Sequence, residues 1–367
     1  MSKNNNIKKI AISTGGGDAP GLNAVIKAAV VAAHNRGWQC VGIRDGYNGL
    51  LFPDRYSEGG IVPLTPYAVH HITPLGGTIL GSTNKGNPLK YKIQNEQGET
   101  VETDMSDFLV ESFAQNGIDA LISIGGDGSL SIAYELYRKG LRLVGVPKTI
   151  DNDLEQTVVT FGFDTAVAFA TECIDRLHTT AQSHGRIMVV EVMGRYAGWI
   201  ALHAGMAASA DAILLPEIKY DIMAVARHLS EKTYPKWNYG IVVVAEGAVP
   251  RGGSLSWTND KDRLGGIGEK VAQELAALTG KDTRAVVLGH LLRGGSPTAF
   301  DRLASMRFGA AAVRALDEGQ NGIMLALDPP DIRYVPLADV NRRMKCVPLQ
   351  SDTMITARDL GISFGDE

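Results

Sequence analysis

The segment Pro147-Lys148-Thr149-Ile150-Asp151-Asn152-Asp153 decides the fold, because it follows a buried apolar run and places carboxylates directly after it. A second loop, Gly125-Gly126-Asp127-Gly128-Ser129, lies just upstream and follows the apolar run Ala120–Ile124. Consecutive strands of a parallel sheet usually lie side by side, and ligands of α/β proteins collect at the carboxyl ends of the strands. The sequence therefore predicts that both loops face one crevice.

The aspartates of these two loops are the candidate chemical groups. Asp127, Asp151 and Asp153 beside glycine-rich backbone suit a magnesium-bound phosphate together with a general base for a hydroxyl. Each of them alone could instead cap a helix or shape a turn. Three carboxylates in two neighbouring loops favour the chemical interpretation.

The composition is that of an ordinary globular chain and excludes several function classes. The 367 residues are 44% hydrophobic and 21% charged, and the net charge of −4 argues against a nucleic-acid binder. No apolar run reaches the ~18 residues of a membrane span, and the polar start Met1–Asn6 does not resemble a signal peptide. The cysteines form no CxxC pair and the histidines show no zinc-ligand spacing, so we expect a cytoplasmic protein with reduced thiols.

Apolar runs alternate with helical patterns from the first predicted strand, Lys8–Thr14, to the helix Pro297–Asp317. This alternation predicts two mostly parallel, doubly wound sheets. The run Val286–Leu292 is predicted as a strand, and residues 85–104 as a surface excursion or a weak hairpin. The sequence of Asp331–Glu367 shows no pattern that predicts its secondary structure or its position in the fold.

A glycine-rich loop follows the first strand but matches neither common nucleotide motif. Pro20 stands where a dinucleotide fingerprint needs its third glycine, and Leu22-Asn23 replaces the Lys-[Ser/Thr] of a Walker A loop. A strand-to-helix turn with bare backbone N–H groups is still suited to an anion. A simple tight turn is the alternative.

Several blocks together resemble the signature loops of the 6-phosphofructokinase family. Besides the two loops quoted above, they are Gly16–Asn23, Gly76–Gly81, Glu191–Arg195 and Leu288–Gly295, in family order. The resemblance implies two doubly wound α/β domains with the active site between them. It places the nucleotide-binding domain at residues 1–162 plus 292–345 and the sugar-phosphate-binding domain at 163–291 plus 346–367.

The resemblance also implies a reaction, in which the γ-phosphoryl group of ATP passes to the 1-hydroxyl of fructose 6-phosphate. Asp151 matches the family's base, and Asp153 the residue that positions the reaction. Thr149 and Arg195 would meet the transferred phosphoryl group, while Asp127 would hold Mg²⁺. The chemistry needs charge neutralisation, in-line positioning and a proton acceptor, and these residues supply all three.

Substrate contacts follow from the same matches. The implied nucleotide contacts are Gly17, Tyr47, Gly126, Asp127, Gly128, Ser129 and Lys148. The implied sugar-phosphate contacts are Thr149, Asp151, Arg186, Met193, Gly194, Arg195, Glu246, Arg284, His290 and Arg293. Considered without the resemblance, Tyr47 is equally a packing tyrosine. In the family the groups matching Arg186 and Arg284 come from a neighbouring subunit, so we expect a homo-oligomer, usually a tetramer.

Two positions bear on the phosphoryl donor. Bacterial ATP-using members carry glycine where Lys148 stands, and pyrophosphate-using members carry lysine there. The pyrophosphate users also place an acidic residue at the position of Gly128, where it crowds and repels the α-phosphate of a nucleotide. Gly128 decides for ATP, and pyrophosphate-dependent fructose 6-phosphate 1-phosphotransferase is the alternative.

Further positions differ from the family pattern, and other classes of protein share part of it. Asn84 stands where many relatives have an arginine, with Lys85 beside it. Lys27 and Val31 match the two effector-site arginines of bacterial relatives, so the usual allosteric control by ADP and phosphoenolpyruvate is expected to differ. NAD kinases and lipid kinases share the Gly-Gly-Asp-Gly loop but lack its Asp-Asn-Asp partner. A non-catalytic regulatory subunit would be expected to have lost the three aspartates.

Overall fold

The structure is a computed structural model and describes residues 7–94, 98–231, 238–257, 264–340 and 343–367, so the polar start Met1–Asn6 lies outside it. The strands, in chain order, are β1 (Lys9–Thr14), β2 (Gln39–Ile43), β3 (Ile61–Leu64), β4 (Tyr91–Gln94), β5 (Thr100–Thr103), β6 (Ala120–Gly125), β7 (Leu143–Pro147), β8 (Ile187–Val192), β9 (Ala212–Leu214), β10 (Gly240–Ala245), β11 (Thr283–Val287), β12 (Ile323–Asp328) and β13 (Asp331–Pro336). The helices are α1 (Leu22–His34), α2 (Asn48–Leu51), α3 (Ser106–Gln115), α4 (Asp127–Arg138), α5 (Phe163–His184), α6 (Trp199–Ala207), α7 (Ile222–Glu231), α8 (Ile267–Thr279), α9 (Ala299–Asp317), α10 (Leu337–Val340) and α11 (Asp352–Asp359).

The chain forms two compact units. The first contains residues 1–149, 154–162 and 293–344, and the second contains 150–153, 163–292 and 345–367. The predicted boundaries placed residues 150–153, 292 and 345 in the nucleotide-binding domain, whereas the structure groups them with the second unit.

The first unit is built on a seven-stranded sheet in the order β13-β12-β7-β6-β1-β2-β3. The central strands run parallel, and β3 and β13 are antiparallel edges. Helices α1 and α9 pack on one face, and α3 and α4 on the other. The central strands are buried on both faces, which explains why they read as continuous apolar runs.

Helices α1 and α9 pack closely against each other at Gly309. A Cβ atom at Gly309 would lie 2.3 Å from the carbonyl oxygen of Val25 and 2.9 Å from Cβ of Ala28. No side chain fits in that space without moving backbone. Because α1 begins directly after the first glycine loop, this packing fixes the helix that the loop leads into.

The second unit carries a parallel four-stranded sheet in the order β11-β8-β10-β9. Apolar side chains of α7 and α8 cover one face, and α5 and α6 pack on the other. The predicted fold class, α/β with two doubly wound and mostly parallel sheets, is confirmed.

Two sequence predictions can be compared with individual elements. The predicted strand Val286–Leu292 is wrong in its bounds, because pairing ends at Val287 and residues Gly289–Arg293 form a short 3-10 helix. Gly289 has φ of +48°, a left-handed conformation that cannot continue a strand. The weak hairpin is confirmed as the antiparallel pair β4 and β5.

The region that carried no signal, Asp331–Glu367, contributes β13, α10 and α11. Strand β13 pairs with β12 along its whole length. None of the helices that the structure describes is both long and apolar enough to span a membrane.

Candidate active site

In the first unit, two glycine loops and the start of α4 lie together at the carboxyl ends of β1 and β6. The Gly15 N–H donates to the carbonyl oxygen of Ile124 at 2.9 Å. A Cβ atom at Gly15 would lie 2.7 Å from Oγ of Ser129, and one at Gly125 would lie 2.2 Å from Cβ of Ser129. Ser129 therefore fills the space between the loops, and both loops need glycine there.

Helix α4 begins beside these loops with an exposed carboxylate and with free space next to its backbone. Asp127 is the first residue of α4 and is exposed, and its Oδ1 accepts a hydrogen bond from the Gly128 N–H at 2.7 Å. A Cβ atom at Gly128 would have nothing within 4 Å. The site thus offers one accessible carboxylate and room for a bulky anionic group.

Lys148 brings a buried ammonium group to the first glycine loop. Its side chain is 3% exposed, and Nζ donates to the carbonyl oxygen of Gly17. Its backbone N–H donates to Gly125 O at 2.9 Å, consistent with the register that pairs Gly125 with Pro147. The two signature loops therefore begin side by side, as predicted from the strand order.

Arg293 also lies at this loop. Its Nη1 donates to the carbonyl oxygen of Asp18 at 3.1 Å, and a Cβ atom at Gly17 would lie 2.8 Å from the same Nη1. Among the predicted sugar-phosphate contacts, Arg293 and Thr149 belong to the first unit and the others to the second. Thr149 is nearly buried, and its carbonyl oxygen accepts a bond from Thr160 Oγ1 at 2.7 Å.

Tyr47 is a core residue in this structure. Its side chain is 5% exposed, lies in the apolar cluster under α3 and α4, and places its hydroxyl 3.3 Å from Oγ of Ser123. Burial raises the pKa of this tyrosine to about 12, partly opposed by the bond to Ser123. These contacts agree with the alternative interpretation from the sequence, in which Tyr47 is a packing residue of the core.

Asn84 lies near the same ammonium group. A Cβ atom at Gly16 would lie 3.5 Å from Nζ of Lys148 and 3.9 Å from Oδ1 of Asn84. Both side chains therefore border the turn at Gly16, which has φ of +77°.

In the second unit, the proposed base lies in a well-buried turn. Asp151 is 3% exposed and Asn152 is 4% exposed, while Asp153 is half-buried. Asn152 adopts φ of +52°, a left-handed conformation that asparagine tolerates better than most residues. The turn is therefore locally fixed, with Asp151 directly before the left-handed residue.

Glu246 shapes the loop that carries Met193, Gly194 and Arg195. Its Oε1 accepts from the Arg195 N–H at 2.9 Å and from the Gly194 N–H at 3.3 Å. Gly194 and Arg195 both have positive φ, at +148° and +50°. The carboxylate thus holds a turn in which Arg195 presents an exposed side chain.

Glu191, at the end of β8, has a role that the sequence did not reveal. Its Oε2 accepts from the Gly268 N–H at 2.8 Å and its Oε1 from the Gly266 N–H at 3.2 Å, which caps the start of α8. Burial raises the pKa of this carboxyl group, and the two backbone N–H groups partly offset the rise. The carboxylate fixes the strand end from which the Met193 loop departs.

One carboxylate joins the two arginines predicted to bind the sugar phosphate. Asp282 Oδ2 lies 2.6 Å from Nε of Arg186, and Asp282 Oδ1 lies 2.9 Å from Nη1 of Arg284. Asp282 was not predicted from the sequence. Its place two positions before Arg284 was a signal that the two side chains could form an ion pair. His290 is exposed on the short helix after β11. The second unit therefore presents paired guanidinium groups suited to an oxyanion.

Comparison with known proteins gives one consistent family. The model of the family described as phosphofructokinase matches residues 9–316. An ATP-dependent 6-phosphofructokinase of Chloroflexus aggregans is 51% identical over 360 residues, covering 98% of each chain. A pyrophosphate–fructose 6-phosphate 1-phosphotransferase of Amycolatopsis methanolica is 49% identical over 349 residues, covering 93% of this chain and 96% of its own.

A solved structure supports the fold. The pyrophosphate-dependent phosphofructokinase of Marinobacter aquaeolei superposes with a TM-score of 0.79 at 21% identity, covering 97% of this chain and 91% of its own. That likeness concerns the fold alone, whereas the match over residues 9–316 and the identity to the relatives concern the family. The chain belongs to the phosphofructokinase family.

Proposed function

We propose that this protein is an ATP-dependent 6-phosphofructokinase, which transfers the γ-phosphoryl group of ATP to the 1-hydroxyl of fructose 6-phosphate in glycolysis. The products are fructose 1,6-bisphosphate and ADP. The observation that carries the choice of donor is the open space around Gly128 at the start of α4. A nucleotide needs that room for its α-phosphate, and relatives at 51% identity bear the same activity in their names.

The donor side of the reaction falls to the first unit. The backbone N–H groups of the glycine loops and the N-terminus of α4 are suited to phosphate oxygens. Gly17, Gly126, Gly128 and Ser129 are the proposed contacts there, and Lys148 adds a positive charge.

One carboxylate in this part is suited to a divalent cation. Mg²⁺ is usually bound by one or two carboxylates together with substrate phosphates, so the exposed Asp127 fits as its protein ligand. Bound there, the ion would neutralise charge on the phosphoryl oxygens.

The acceptor side falls mainly to the second unit. Asp151 takes the proton from the 1-hydroxyl as the oxygen attacks, and the bond from the γ-phosphorus to the leaving oxygen of ADP breaks. Asp153 positions the reaction, and Thr149 and Arg195 meet the transferred group. The sugar phosphate is held by the contacts already named, which are Arg186, Met193, Gly194, Glu246, Arg284, His290 and Arg293.

Assembly and location belong to the same proposal. Arg186 and Arg284 would serve the site of a neighbouring copy, which makes the active form a homo-oligomer, most simply a tetramer. The enzyme would work in the cytoplasm on fructose 6-phosphate and ATP. Allosteric control is proposed to use effectors other than the usual pair, because Lys27 and Val31 replace both effector-site arginines.

The second candidate is the pyrophosphate-dependent reaction. It is favoured by Lys148, whose ammonium lies at the glycine loop, and by the name of the relative at 49% identity. A coupled assay of the purified protein, with Mg²⁺ and either ATP or pyrophosphate, separates the two. We expect the higher kcat/KM with ATP. A higher value with pyrophosphate would refute the ATP assignment while leaving the sugar-phosphate assignment intact.

A further inference from the structure

Lys345 contacts the turn that holds the proposed base. Its backbone N–H donates to the carbonyl oxygen of Asp153 at 2.9 Å, and its Nζ donates to Oδ1 of Asn152 at 3.2 Å. These two bonds hold the turn by its backbone and by a side chain at once. No sequence pattern assigns a role to this lysine, because it lies in the stretch before α11 that carries no motif.

The lysine is itself fixed by α6. The indole Nε1 of Trp199 donates to the carbonyl oxygen of Lys345 at 2.9 Å, and Nζ lies 5.2 Å from the centroid of the Trp199 ring. A cation over an indole face at this distance is attracted to the ring. Lys345 thus connects a rigid helix start to the turn.

A second anchor lies two residues further on. Oε1 of Glu217 accepts from the Val347 N–H at 2.8 Å and from the Gly198 N–H at 3.0 Å. Gly198 directly precedes α6, so the segment at residues 345–347 is attached to this helix start twice. The position of Lys345 is therefore well determined.

We propose that Lys345 is a positioning residue for the proposed base, holding the Asn152–Asp153 turn so that the Asp151 carboxylate faces the acceptor hydroxyl. The proposal rests on the role proposed for Asp151. Asn152 occupies the left-handed conformation, which is strained and persists only where surrounding contacts hold it, and the bond from Lys345 to its Oδ1 is one such contact. A displacement of a reacting group by about 1 Å can cost a factor of ~10² in rate.

Because Lys345 can lose its charge, its role can be tested by the pH dependence of kcat, which a role in packing alone would not produce. Burial lowers its pKa to about 8, and the charge of Asp153 partly opposes this. In the part of the chain that the structure describes, Lys345 also interacts with His203 on α6, whose pKa is lowered by burial and then by Lys345. His203 therefore loses its proton at a lower pH than an ordinary histidine, so its titration lies on the acid side of the change near pH 8 expected for the lysine.

The test compares Lys345→Met, which removes the donor and the charge, with Lys345→Arg, which keeps both. Lys270→Met, at an exposed position of α8, is the matched control. We expect Lys345→Met to lower kcat by ~10- to ~100-fold, with both KM values little changed. Lys345→Arg should recover part of kcat, and Lys270→Met should behave as the parent. In the parent, kcat should fall as the pH rises through about 8, and this fall should be absent in Lys345→Met.

A spectroscopic measurement separates failure of this proposal from failure of the proposed function. The part of the tryptophan fluorescence that disappears in Trp199→Phe should change with pH near 8 in the parent and not in Lys345→Met. Unchanged kcat in Lys345→Met, or a loss confined to the KM of fructose 6-phosphate, would overturn the positioning role. Normal turnover in Asp151→Asn would instead overturn the proposed base, whatever the fluorescence shows.

Discussion

Replacement of Gly128 by aspartate should separate donor choice from folding. A Cβ atom at this position meets nothing within 4 Å, and the residue lies exposed in the first turn of α4. Loss of a helical glycine stabilises a helix by a few tenths of a kcal/mol, and a carboxylate near a helix N-terminus adds ~0.3–1 kcal/mol. Repulsion from the neighbouring Asp127 offsets part of this gain. We therefore expect the melting temperature of Gly128→Asp to equal or slightly exceed that of the parent.

The effect on ATP should be large by comparison. Two like charges ~4 Å apart repel by ~1 kcal/mol in water and by ~4 kcal/mol at a partly buried site. At 1.4 kcal/mol per tenfold change, this corresponds to a loss of between ~5-fold and ~700-fold in kcat/KM for ATP. Pyrophosphate has no α-phosphate followed by adenosine, so its kcat/KM should fall less.

The assay measures kcat/KM for both donors at saturating fructose 6-phosphate, alongside a thermal melt. Gly128→Asn is the matched control, because it has nearly the same bulk without the charge and should lose much less ATP activity. Equal losses in the asparagine and aspartate variants would show that bulk is the cause. An unchanged ratio of ATP to pyrophosphate activity in Gly128→Asp would refute the role of Gly128 altogether.

Three further predictions concern the acceptor side. Asp151→Asn should keep the KM for fructose 6-phosphate and lose ~10²–10⁴ in kcat, since the side chain keeps its shape without its basicity; a kcat above a tenth of the parent's would remove it from the role of base. Mixed oligomers of Asp151→Asn and Arg284→Ala should regain part of the activity that each variant lacks alone, and no recovery in verified mixed oligomers would mean that one chain builds each site. Asp282→Asn should raise the KM for fructose 6-phosphate several-fold with kcat nearly unchanged, because Arg186 and Arg284 lose the carboxylate that aligns them; steady-state kinetics that instead show a fall in kcat alone would contradict this role.

The parts of the molecule that sequence predicts well are those specified by local patterns. The apolar runs before the two signature loops are strands buried on both faces, and their adjacency follows from chain order. The bounds of β11 were harder to predict, because Val286–Leu292 is mostly apolar while the strand ends at Val287 and Gly289 adopts a left-handed conformation.

Contacts between distant segments were not predictable in the same way. Lys345 meets Asn152 across 193 positions of the chain, and Glu217 meets Val347 across 130. No periodicity or spacing carries such information, because these pairs depend on how the helices of the second unit pack. Tyr47 illustrates a different difficulty, since an aromatic after a strand suits a nucleotide and a core equally well.

The neighbouring glycines at Gly125 and Gly128 also differ in how much change the protein can accept. A side chain at Gly125 would collide with Ser129, whereas Gly128, three residues later, is open. Substitutions at position 128 should therefore leave folding intact, both in natural variants and in laboratory libraries. Substitutions at position 125 should prevent correct folding, so that their effect on activity is not seen. If Gly128 governs donor choice as proposed, donor preference depends on a position where the fold accepts a side chain, and a library built to move this enzyme between donors should randomise position 128 and leave 125 untouched.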